Sequence, residues 1–275
     1  MKKYFLTILI FLSVVFAVFF VLQKKDEFIK SPAQNLSVER LDKIIVETRA
    51  KTEENPEDIF SYIESGVALY QKGKDNYPEA INQLQKALKL GAVNIKIFFY
   101  LAIMYDELNL YEKSLNYYEK FLRNRPRDFY MRLRYGNLFF RQNRYDSASE
   151  QYETALSIEP KSRPALINLA MSYKARDMYD EALEKFRQAE AVKPDFPPEV
   201  LIKIAETCFA KKDFSDAVEY YNKAIEKKPD SAAALLGLGE SYVNTGNKSQ
   251  AYNYFRKVLK TDPNNPKARR YLSKK

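Results

Sequence analysis

The stretch "YGNLFFRQNRYDSASEQYETALSIEP", Tyr135 to Pro160, decides how this chain folds. It opens on a large and a small residue, Tyr135-Gly136, with Phe139 three positions after the glycine. Beyond Asn143 come Ala148, Tyr152 and Ala155, and Pro160 closes the stretch. Steps of three and four keep each set on one face of a helix. The small residue lets a paired helix approach closely, and the bulky one fills the gap beside it. Asparagine tolerates the left-handed backbone of a tight turn, and proline ends the second helix. The stretch reads as helix, turn, helix, stop.

The same columns recur along the chain. Prolines at 126, 160, 194, 229 and 263 stand 34, 34, 35 and 34 residues apart. Small residues recur as Ala80, Ser114, Ala148, Ala182, Ala217 and Ala251. Four further on come Leu84, Tyr118, Tyr152, Phe186, Tyr221 and Phe255. The first helix of each pair carries Leu101-Ala102, Tyr135-Gly136, Leu169-Ala170, Ile204-Ala205 or Leu238-Gly239. Between the helices sit Asn109, Asn143, Asp177 and Gly246. A fixed period of this length marks a stack of like units.

These columns resemble the tetratricopeptide repeat (TPR) family over about residues 57–263. The resemblance implies an all-α fold, a right-handed superhelix (α-solenoid) of about six helix pairs. Their expected spans are about 57–94, 95–128, 129–162, 163–197, 198–231 and 232–263. The first pair departs from the pattern, with two extra residues near Lys74–Tyr77 and Ala92 where a proline is expected. Residues 31–56 read as a linker and a capping helix, amphipathic from Leu36 to Glu54. Residues 264–275 read as a short charged helix that solvates the open end.

Residues 1–30 read as a membrane anchor and its flank. Lys2 and Lys3 precede an uncharged run from Tyr4 to Leu22. As a helix, Phe5–Leu22 would rise roughly 27 Å, close to the ~30 Å hydrocarbon core. A cleaved signal peptide has a shorter apolar run, and here the run continues past the small-residue site at Val15-Phe16-Ala17. The lysines before the run favour a cytoplasmic N-terminus and an exported remainder, in a bacterial cell the periplasm; Lys24, Lys25 and Lys30 pull the other way.

Composition excludes several chemistries. There is no histidine and a single cysteine, Cys208, so there is neither a disulfide nor a thiolate metal cluster. Gly237-Leu238-Gly239 lacks the third glycine and the preceding strand of a phosphate loop. No cofactor, metal or small-molecule substrate is expected, and no enzyme. The net charge is +9, of which residues 1–30 supply +3, a mild excess for a dedicated nucleic-acid binder.

What remains is binding. By the family resemblance, first helices line a concave groove, and the groove positions are Arg134, Asn137 and Arg141, then Asn168, Met171 and Lys174, then Lys203, Glu206 and Phe209. Four cations, with Asn137 and Asn168, suit an acidic peptide segment of a partner protein. The set resembles, incompletely, the grooves that clamp a terminal carboxylate, because Leu133 and Glu199 stand where lysines are expected. Phe99, Tyr100 and Ile103 are expected on the same side as an apolar anchor, unless the helix Leu36–Glu54 covers them. The functional expectation is a membrane-anchored scaffold for a cell-envelope complex of secretion, pilus, outer-membrane or flagellar type. The alternative is a peripheral protein whose outer arginines, Arg123, Arg125, Arg127 and Arg144, dock on anionic lipid or nucleic acid.

Overall fold

The computed structural model describes residues 36–273. The expected membrane segment at residues 4–22, and its orientation and processing, lie outside them. Among the described residues there are fourteen α-helices and no strand. No helix among them is long and apolar enough to cross a membrane.

The described residues form two compact units that divide between Asn124 and Arg125. The first contains α1 (Val38–Glu54), α2 (Ile59–Lys72), α3 (Tyr77–Lys89), α4 (Ile95–Glu107) and α5 (Tyr111–Asn124). The extra residues of its first pair form a 3-10 turn, Lys74–Asn76. The second contains α6 (Phe129–Arg141), α7 (Tyr145–Ile158), α8 (Arg163–Ala175), α9 (Tyr179–Val192) and α10 (Pro198–Lys211). It continues through α11 (Phe214–Lys227), α12 (Ala232–Asn244), α13 (Lys248–Thr261) and α14 (Pro266–Ser273).

Short polar side chains start many of these helices by accepting orphan backbone N–H groups. Asp58 caps α2, Asp128 caps α6, Ser162 caps α8 and Ser231 caps α12. The turns inside the pairs are left-handed, with φ of 58° at Asn109, Asn143 and Asp177 and 80° at Gly246. Three of them carry a lock: the tyrosine two residues on donates its hydroxyl to the turn side chain. The bonds run Tyr111 to Asn109 at 3.0 Å, Tyr145 to Asn143 at 2.7 Å and Tyr179 to Asp177 at 2.6 Å. The fourth such turn is at Lys212, φ 73°, where Phe214 has no hydroxyl to offer.

The core is the small-against-aromatic column. A Cβ added to Gly136 would stand 2.5 Å from the Tyr152 ring, and one on Gly239 would stand 2.6 Å from Phe255. Tyr118, Tyr152, Phe186 and Phe255 are fully buried, each ring contributing on the order of 2–3 kcal/mol. Within each unit, consecutive helices pack on one another. First helices of successive pairs also touch, α2 with α4, α6 with α8, and α10 with α12. That adjacency sets their side chains in rows one repeat apart.

Candidate functional site

In the second unit, α6, α8 and α10 place one residue of each expected set in such a row. Asn137 and Asn168 meet directly, the Asn168 amide donating to Asn137 Oδ1 at 2.8 Å. The same oxygen accepts the Tyr152 hydroxyl at 2.8 Å. Burial raises the phenol's pKa well above its ordinary value, the charge of Arg141 opposing only weakly, so Tyr152 stays a neutral donor. The two asparagines are half-buried.

One repeat along, Lys174 Nζ lies 2.6 Å from Glu206 Oε2, and Lys203 Nζ lies 3.1 Å from the same oxygen. Burial pushes the Glu206 carboxyl up, but the hydrogen bonds and charges of Lys174 and then Lys203 outweigh it. The net effect holds Glu206 below the usual carboxylate range. Of the four expected cations, two therefore converge on one acid, and the trio carries a net single positive charge.

Arg134 and Arg141 supply the rest. Arg134 donates to the Tyr130 hydroxyl at 3.0 Å and sits 5.8 Å from that ring's centre. Tyr130 is 48% exposed, so this arginine lies on a platform at the surface. Arg141, in the last turn of α6, is exposed. Met171 and Phe209 are half-buried and pack against the core of the unit.

The expected apolar anchor in the first unit requires correction. Ile103 is fully buried and presents nothing to a partner. Phe99 and Tyr100 are half-buried, packed edge-on at 5.3 Å, with Tyr100 tilted against Tyr70 at 4.9 Å. They belong to an aromatic cluster inside the unit. The capping helix α1 packs along α2, sending Leu41 and Ile45 into the core that holds Ile97 and Leu101.

The other arginines of α5 to α7 divide in two. Arg123, Arg125 and Arg127 are exposed at the end of α5 and in the loop after it. Arg132 is structural: it donates to the Pro126 carbonyl at 3.0 Å and to Gln151 at 2.6 Å. Arg144 lies over the Phe139 ring at 4.5 Å. Cys208 is buried in the core of the second unit, and burial first, then nearby Asp216 and Asp213, pushes its thiol up to about 11. Among the described residues no group of histidine, cysteine or acidic side chains could hold a metal ion.

Models of the tetratricopeptide repeat match residues 65–128, 102–165, 139–206 and 209–274. One curated relative, the uncharacterized protein ycf37 of Cyanophora paradoxa, is 36% identical over 66 residues. That stretch is 24% of this chain and 38% of the relative, so the match spans well under half of that protein. PilF of Pseudomonas aeruginosa superposes with a TM-score of 0.60 at 19% identity, over 79% of this chain and 97% of its own. PilW, described as a widely conserved type IV pilus biogenesis factor, gives 0.61 at 20%, over 77% and 96%. MamA of Desulfovibrio magneticus gives 0.59 at 16%, over 62% and 97%. At these identities the structures share the fold.

Proposed function

The chain belongs to the tetratricopeptide repeat family, and we propose that it is a membrane-tethered scaffold that holds an acidic segment of a partner protein on its second unit. The observation that carries this reading is the polar row over α6, α8 and α10. Arg134, Asn137, Arg141 and Asn168 are partly open to solvent on adjacent helices.

Roles follow from the geometry. The guanidinium groups of Arg134 and Arg141 meet the partner's carboxylates, the planar fork being the cation shape that suits them. Asn137 and Asn168, oriented by Tyr152, bond the partner's backbone. Lys174 and Lys203 engage a carboxylate only by sharing it with Glu206, so they tune the site and do not anchor it. With Leu133 and Glu199 in place of two lysines, an extended acidic segment fits better than a clamped chain terminus. Residues 4–22 form the tether, with the N-terminus in the cytoplasm and the repeats exported. The partner then belongs to a cell-envelope complex; pilus biogenesis, in which PilW is a factor, is one such process.

The test is co-purification of the full-length protein in mild detergent after crosslinking in cells, beside an Arg134→Glu/Arg141→Glu variant. Both substitutions fall on α6, within the polar row. A partner present with wild type and absent from the folded variant supports the reading. Identical partner lists refute it.

A further inference from the structure

The chain's net charge is concentrated at one end of its sequence. Residues 248–275 hold nine lysines and arginines against one acid, Asp262, a net +8 out of +9. In the structure seven of these nine cations lie on α13 and α14. Tyr252, Arg256 and Lys260 follow at steps of four on α13, all exposed. Arg270 and Tyr271 are exposed on α14. Lys267 pairs with Glu240 at 2.8 Å, and Arg269 donates to the Pro263 carbonyl at 2.7 Å. Lys248, Arg256, Lys257, Lys260 and Arg270 have no ion pair among the described residues.

The α1–α2 hairpin shows the opposite pattern. Residues 52–71 hold five acids and no lysine or arginine. Asp58 is engaged in capping α2. Glu53, Glu54, Glu57 and Glu64 are exposed and without an ion pair among the described residues. Amid them stands Phe60, 83% exposed. Phe60 and Glu64 stand four apart on one face of α2, and Glu57 lies in the turn before it. Phe60 is thus a large apolar side chain open to solvent, flanked by carboxylates that have no ion pair among the described residues.

We propose that the chain self-associates head to tail, the acidic Phe60 edge of one copy docking on the basic α13–α14 face of the next. Charge complementarity identifies the occupant. An anionic bilayer would satisfy α13 and α14 but would leave Phe60 and its carboxylates without a purpose, whereas a second copy accounts for both. Tyr252 and Tyr271 supply ring faces against which Phe60 packs. Because the two patches differ, the contact is heterologous and repeats from copy to copy.

The full-length chain in mild detergent tests this by sedimentation at about 0.1 M and about 1 M salt, which shortens the screening length from about 10 Å to about 3 Å. Concentration-dependent species beyond the dimer are expected at low salt, weakened tenfold or more at high salt. Two variants reverse the patches: Glu53→Lys/Glu57→Lys/Glu64→Lys, and Arg256→Glu/Lys260→Glu/Arg270→Glu. Each alone loses association at least tenfold; mixed in equal amounts they complement at both contacts and assemble again. Phe60→Ser weakens assembly with every charge kept. A monomer at all concentrations overturns the proposal, as does association indifferent to either reversal. So does a wild type that stays monomeric while binding vesicles rich in anionic lipid through the α13–α14 charges.

Discussion

Glu206→Gln probes the balance of charge in the polar row. The substitution keeps the shape and one acceptor oxygen but removes the charge that draws Lys174 and Lys203 together at 2.6 and 3.1 Å. Charged hydrogen bonds contribute about 1.5–3 kcal/mol when sheltered, and exposed pairs about 0.2–1. The Glu206 side chain is 34% exposed, and burial itself penalises the carboxylate. The net loss at pH 7 is about 1 kcal/mol. The carboxyl is held below its unfolded value, about 4.3, so its stabilisation is complete above that pH. It vanishes as pH falls through the depressed folded value. Urea unfolding followed by circular dichroism reads this directly: a gap of about 1 kcal/mol between wild type and variant at pH 7, closing towards zero near pH 2. With slopes of about 1–3 kcal/mol per molar urea, that gap moves the midpoint by about 0.3–1 M. A gap that persists at pH 2, or none at pH 7, refutes the reasoning.

Three other outcomes follow from the structure. Gly237→Ala places a Cβ 2.2 Å from Cζ of the buried Tyr221 ring; overpacking of about 1–3 kcal/mol outweighs the roughly 1 kcal/mol gained in helix propensity. The urea midpoint should fall, and a rise would contradict the packing described. Cys208, with its thiol pushed up to about 11, should react with a thiol reagent at pH 8 over a hundredfold more slowly in the folded protein than in denaturant. Comparable rates would show that the core around it opens readily. Alkaline phosphatase fused after Lys275 should be active in a bacterial host; inactivity, with a cytoplasmic reporter active in its place, would reverse the proposed orientation.

The helix pairs could be read from sequence because each column is tied to one physical need. Gly136 must admit Tyr152, and Asn143 must turn left-handed. Lys212 escaped because nothing in its side chain favours φ 73°, and its neighbour Phe214 cannot form the lock seen at Asn109, Asn143 and Asp177. Ile103 was misplaced by column counting. It occupies the position of Asn137 and Glu206, which are half-buried, yet Ile103 is fully buried. The Lys174–Glu206 bond spans 32 residues. Opposite charges one repeat apart were visible in the sequence, yet whether long side chains meet depends on rotamers that no periodicity encodes. The tyrosine reaching from α7 to Asn137 went unread for the same reason.

The central claim is tested most directly by photocrosslinking in cells from two positions of the full-length protein. Met171 lies in the polar row, and Arg187, 66% exposed, lies on the outer helix α9. A photoreactive residue at 171 should yield a discrete adduct with one partner protein, lost in the Arg134→Glu/Arg141→Glu background and absent from position 187. The same adducts from both positions, or none from 171, would contradict the account.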